Sequence, residues 1–146
     1  MTNAIRWLRI SYWVGAIVDL IAGVQMLWPP LFAFGLRLTN FNPGPDYRYA
    51  MGMGASLMFG WTALLLWADR RPVERMGVLP LTIVPVIGGL ALNEAVGVGS
   101  GFLSVAAAAP IWALQAAISA LFLVSYGVAR RALRAASAAA PQDNRR

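Results

Sequence analysis

Four long runs of apolar residues, separated by short polar breaks, make up most of this chain: Ile10 to Trp28, Tyr49 to Ala68, Met76 to Ala95 and Phe102 to Ala129. Formal charge enters them only at Asp19 and Glu94. A helix needs about 20 apolar residues to cross about 30 Å of hydrocarbon, and each run is long enough. The pattern predicts an all-α protein, a four-transmembrane-helix bundle. Residues 1–129 form a single four-span membrane domain, with spans over 10–28, 49–68, 76–95 and 102–129, and 130–146 form a basic cytoplasmic tail.

The breaks carry their own signals. Pro29-Pro30 ends the first helix, because proline lacks the backbone donor and clashes with the preceding turn. Leu31 to Leu38 is apolar but too short to span, and predicts a short interfacial or re-entrant segment between helices 1 and 2. The turn-rich stretch Asn40 to Asp46 follows, so that the loop over 29–47 is either a connector or a lid. Asp46 is the expected N-cap of the second span. Pro80 and Pro85, followed by Gly88-Gly89, predict a kinked third span whose freed carbonyls need other partners. The tail continues the fourth helix and is expected to be disordered after Pro141. No internal repeat is visible.

Composition agrees with the membrane reading. Hydrophobic residues are 59% of the chain and charged residues 12%, against about a quarter charged in a soluble domain. There is no cysteine, which excludes disulfides, thiol redox chemistry and iron–sulfur clusters. There is no histidine, which removes histidine-ligated haem, nearly all zinc sites and the usual proton shuttle. No cofactor and no metal site is expected, no catalytic set is visible, and the chemistry leans away from an enzyme.

The 12 basic residues are all arginine, which in an alanine- and glycine-rich chain points to a GC-rich bacterial genome. Ten of the 12 fall on one side of an even-span bundle: Arg6 and Arg9, then Arg70, Arg71 and Arg75, then Arg130, Arg131, Arg134, Arg145 and Arg146. The other side has Arg37 and Arg48. The positive-inside rule predicts a multi-pass inner-membrane protein with N- and C-termini cytoplasmic. This asymmetry accounts for the net charge of +6 without a nucleic-acid partner. The basic tail suits the anionic surface of the lipid bilayer. The first run exceeds a signal-peptide core and ends in Leu-Trp-Pro-Pro, so an uncleaved signal anchor is expected. Trp7, Tyr12, Trp13, Trp28 and Trp67 lie near span ends, the place of an aromatic belt. Trp61 and Trp112 lie deeper, where they pack or line a pocket.

Small residues repeat four apart on two spans: Gly15 and Gly23 flank Asp19 on the first, and Gly52, Ser56 and Gly60 follow Arg48 on the second. The small-xxx-small rule predicts that these two rows pack against each other. Asp19 is the sharpest polar signal, since a charge inside a membrane is costly and marks a functional hypothesis. It is a candidate for proton coupling or cation binding, or else a structural aspartate that fastens two helices, with Ser56 as its partner. Gln25, Arg48, Asn93 and Glu94 lie near the outer ends of their spans and with Asp19 would form a polar funnel, Arg48 pairing with Glu94; alternatively they are boundary residues that snorkel to water. Gln115 and Ser119 form the one strongly polar pair inside the fourth span.

With WPPLFAFGL after the first span and the arginine-led RYAMGMGASLMFGW opening the second, residues 10 to 125 resemble the DoxX-like group of small four-helix bacterial membrane proteins. The resemblance implies the same four-helix architecture, and some members of that group are similar to accessory subunits of membrane redox enzymes. Two functional readings follow. One is a non-enzymatic accessory or assembly subunit of a membrane complex, with a membrane-protein partner, or a self-associating homo-oligomer. The other is a small transporter or binding protein for a lipophilic or cationic molecule, proton-coupled through Asp19.

Overall fold

A computed structural model describes residues 2–39 and 41–139, and every regular element among them is helical. The order is α1 (Thr2–Leu27), α2 (Pro29–Gly35), α3 (Pro45–Asp69), α4 (Val78–Leu81), a π-helical segment (Thr82–Ile87), α5 (Gly88–Gly99) and α6 (Val105–Ala139). Helix α4, the π segment and α5 run on as one span, Val78–Gly99, so four helices are long and apolar enough to cross a membrane. The protein is a four-helix bundle of the multi-pass membrane type.

Two helices outrun their apolar stretches. Helix α1 begins at Thr2 and α6 continues to Ala139, because the flanking Ala, Arg and Leu residues are strong helix formers and nothing interrupts them. The stretch expected to be disordered after Pro141 lies outside the described residues. Helix α3 also starts earlier than expected. Its N-cap is Gly44, with no side-chain cap, Pro45 takes the first turn, and Asp46 sits inside that turn. Asp46 is therefore not the N-cap; its carboxylate faces the positive end of the helix dipole instead. The short interfacial segment is α2. It ends in a Schellman turn, with the Leu38 amide on the Ala33 carbonyl at 2.9 Å and Arg37 at φ 54°.

Four polar contacts tie the arginine-bearing segments together at one end of the bundle. Arg9 Nε lies 3.6 Å from Asp69 Oδ1, and the Tyr12 hydroxyl donates to the Pro72 carbonyl at 3.1 Å. Ser11 Oγ donates to Ser125 Oγ at 2.7 Å, and Ser125 Oγ donates in turn to the Trp7 carbonyl at 3.2 Å. The start of α1, the end of α3, the turn that follows it and the second half of α6 thus share that end. The core lies there too: Leu8, Tyr12, Leu65, Leu79 and Phe122 are fully buried, joined by Ala4, Ala16, Ala68, Val78, Ile118 and Ala129. Tyr12 is therefore a core residue rather than part of an aromatic belt; its hydroxyl finds a carbonyl inside the bundle, which the tyrosine needs once its ring is buried. Trp7, Trp13, Trp28 and Trp67 remain exposed on the outside.

Away from that end the packing thins. Helix α5 buries no residue, and α3 buries only Ala55 before Thr62. The third span is held to α3 where Trp61 Nε1 donates to Thr82 Oγ1 at 3.1 Å. Thr82, the residue at which the π-helical segment around Pro85 begins, itself donates to the Val78 carbonyl at 2.9 Å.

The α1–α3 interface corrects one expectation. On α1, Gly15, Asp19 and Gly23 are buried. On α3, a β-carbon added at Gly52 or Gly60 would meet nothing within 4 Å, and Ser56 is exposed, its hydroxyl turned back to the Gly52 carbonyl at 2.9 Å. The row Gly52, Ser56, Gly60 therefore faces away from α1. Large side chains fill the glycine holes instead. A β-carbon at Gly23 would lie 2.5 Å from Phe59 Cε1, and one at Gly15 would lie 2.8 Å from Phe122 Cζ and 3.0 Å from Leu65 Cδ1. Glycine is required on α1 to admit these knobs.

Candidate functional site

Inside hydrocarbon a carboxylate must be paired or neutral, so the surroundings of Asp19 and Glu94 decide what each can do. Asp19 lies in α1 eight residues before Leu27, about 12 Å of helix rise. It is 9% exposed, and its Oδ2 has no hydrogen-bond partner. The expected bond to Ser56 is not made, since that hydroxyl is exposed and serves its own helix. Such a group is an acid enclosed by apolar side chains, able to hold a proton or to receive a cation.

Glu94 lies in α5, five residues before Gly99, about 7.5 Å from the helix end. Its Oε1 accepts from Gln115 Nε2 of α6 at 3.0 Å. Its other oxygen, Oε2, and Gln115 Oε1 are buried and unpartnered. The pair with Arg48 is not formed: Arg48 is exposed near the start of α3, and Glu94 takes part in neither of the two ion pairs among the described residues. Arg48 gains more from water and headgroups at the helix start than from crossing to α5.

The five residues of the expected funnel are not joined. Asp19 is enclosed on α1, and Gln25 is half-buried beside α2, its Nε2 3.4 Å from where a β-carbon of Gly35 would stand. Arg48 and Asn93 are exposed, and Glu94 turns to Gln115. No hydrogen bond or ion pair links any two of the five among the described residues. Helix rotation explains this, because similar depth does not place residues on facing sides.

Two grooves flank the weakly packed third span. One, about 430 Å³, runs between the π segment with α5 and α6, and is lined by Ile83, Ile87, Ala91, Trp112, Gln115 and Ser119 among others. The other, about 360 Å³, lies between α3 and the same span and includes Trp61, Pro85 and Gly89. Trp61 and Trp112 thus both pack and line a groove. Asp19 lines neither groove.

Two polar arrangements were not anticipated from the residues in order. Ser11 and Ser125 form the buried link between α1 and α6; the available signal was a hydroxyl in each of two apolar runs, placed near ends that share a side. Glu94 and Gln115 were each visible as polar residues but not as a pair. At the arginine end, Arg75 stacks 3.4 Å above the Trp67 ring and also donates to the Trp67 carbonyl, and Arg71 pairs with Glu74 at 3.2 Å. On the opposite end, the rings of Phe32, Phe41 and Tyr47 meet with centroids 5.1 to 5.7 Å apart, so that α2 and the following loop fold onto the start of α3. Set against known proteins, the chain matches no family model, no curated protein and no solved structure.

Proposed function

We propose that this protein is a non-enzymatic accessory or assembly subunit that binds a membrane-protein partner or a second copy of itself in the bacterial inner membrane. The observation that carries this reading is the outward row Gly52, Ser56, Gly60, which has open space in front of both glycines. In lipid, where helix association rests on close packing rather than on hydrophobic driving force, such a row lets another helix approach. The resemblance to DoxX-like proteins points the same way. Native purification followed by mass spectrometry tests it. Wild type is expected to travel with a partner or as an oligomer, whereas Gly52→Leu and Gly60→Leu release the monomer with little change in its melting temperature. A wild-type protein that always runs alone would defeat the reading.

The same proposal places both termini in the cytoplasm, on the strength of Arg6, Arg9, Arg70, Arg71, Arg75, Arg130, Arg131 and Arg134 in the segments that share one end among the described residues. Reporter fusions after Trp67 and at the C-terminus are expected to report cytoplasm, and those after Trp28 and Gly97 the periplasm. A periplasmic C-terminus would reverse the orientation.

One observation favours a second reading, a small transporter or binding protein with Asp19 as its acid: the buried Oδ2 without a partner. A group that costs stability and serves no bond is a candidate for use.

A further inference from the structure

Gln115 lines the groove between α5 and α6, and its bond to Glu94, which lies behind that lining, leaves a set of hydrogen-bonding atoms that do not balance. Carboxylate and amide oxygens are acceptors. One bond, Gln115 Nε2 to Glu94 Oε1 at 3.0 Å, joins the two side chains. Glu94 Oε2 and Gln115 Oε1 are buried and complete no hydrogen bond, although the Trp112 side chain approaches the Glu94 carboxyl as a donor. Both belong to one small cluster, and Gln115 lines the groove. The missing complement is therefore a pair of donors. With Glu94 ionised it is also a positive charge, because no cationic side chain pairs with Glu94 among the described residues; the neutral acid carries one O–H donor of its own.

We propose that this groove binds a lipophilic ammonium ion, a protonated primary or secondary amine on an apolar body, whose N–H groups reach Glu94 Oε2 and Gln115 Oε1. The rest of the groove suits such a body. Ile83, Ile87, Ala91 and Ala95 supply an aliphatic wall, and Trp112 an aromatic one, against which a cation is also stabilised. A volume of about 430 Å³ falls within the range of small-molecule sites, roughly 300–1,000 Å³. An ordinary alcohol fits less well, since it brings one donor and no charge. An aminophospholipid fits less well for another reason. Its ammonium comes with a phosphate, and neither the groove lining nor the turn from Ser100 to Ser104 contains an arginine to receive one. The site involves neither the outward glycine row nor Asp19; it shares the ligand class of the second reading but rests on a different acid, so its test does not depend on Asp19.

The test uses the full chain in phosphatidylcholine nanodiscs, titrated with 1-adamantylammonium and followed by calorimetry and tryptophan fluorescence, with protein-free discs subtracted. Saturable binding at one site per chain is expected, weakened about tenfold or more by Glu94→Gln. The carboxylate control Glu74→Gln, at the far end of the bundle, leaves it unchanged. Adamantyltrimethylammonium, which has the charge without N–H donors, is expected to bind more weakly than the primary amine, and 1-adamantanol weakest of all. Ala91→Phe, which fills the groove and spares both polar side chains, is expected to abolish binding and serves if Glu94→Gln does not fold. No saturable binding by wild type would overturn the proposal. So would equal binding by folded Glu94→Gln, or by folded Ala91→Phe. Displacement of the amine by phosphatidylethanolamine in the discs would overturn it in favour of a lipid headgroup.

Discussion

Phe122→Ala and Gly15→Leu are each expected to melt well below wild type in mild detergent, although one empties and the other overfills the same place. Phe122 is fully buried in α6, and its ring tip occupies the hole that Gly15 leaves in α1, beside Leu65 of α3. This is where three helices meet. In a soluble protein Phe→Ala costs about 3–5 kcal/mol, part of it lost transfer from water. In a membrane the separated helices still face an apolar solvent, so that part falls away. The cavity remains. At about 24 cal/mol per Å³ and roughly 100 Å³ of lost ring, it costs about 2 kcal/mol. Gly15→Leu fails by the opposite route. Its β-carbon alone would sit 2.8 Å from Phe122 Cζ, and the rest of the side chain has no space, so about 1–3 kcal/mol is lost to strain. Gly60→Leu projects into open space and is expected to change stability by less than about 0.5 kcal/mol. Circular dichroism melts of the three variants check the order. A Phe122→Ala protein as stable as wild type would mean that α1, α3 and α6 do not meet there.

The same contrast shows what could be read from the residues in order. Span number and placement were legible because length and apolarity suffice for them. Which face of each helix turns inward was not. A membrane helix is apolar all round, so the periodicity that orients a soluble amphipathic helix is lost. Small residues then seem the natural guide, but α3 has Gly52, Gly54, Ala55, Ser56 and Gly60 spread around its circumference. The large residues chose the face: Phe59 and Leu65 enter the holes at Gly23 and Gly15, and the row Gly52, Ser56, Gly60 is turned outward. A break at Pro80 and Pro85 was legible as a kink, whereas a π-helical segment was not, since proline alone does not say how the freed carbonyls are re-paired. The Glu94–Gln115 contact depends on the rotation of α5 against α6. No local pattern carries that rotation, and depth alone points Glu94 to the opposite charge at a similar level, Arg48.

Asp19→Ala is expected to stabilise the protein. The carboxyl group is enclosed between glycines on the α1 face that packs on α3, with Oδ2 bonded to nothing. In detergent, water reaches an aspartate on a separated helix, so leaving it buried and unsatisfied in the bundle costs about 1–3 kcal/mol, and more if it is charged, whereas an apolar replacement carries no such cost. Against this, alanine leaves a void of only about 25 Å³, worth roughly 0.6 kcal/mol. The net gain is about 0.4–2.4 kcal/mol, read as a higher melting temperature. A lower one would mean that the carboxylate holds the helices together, and the structural role would stand. The isosteric Asp19→Asn separates the remaining possibilities, because it keeps the shape and removes the acid. If Asp19 couples a proton or a cation to transport, the Asn variant folds, assembles and loses the phenotype of the intact gene. If the chain is an assembly subunit, Asp19→Asn keeps its partner and its phenotype, while Gly52→Leu and Gly60→Leu lose both. An acid kept at a cost to stability, whose removal harms nothing measurable, would leave the outward glycine row as the working surface of the protein.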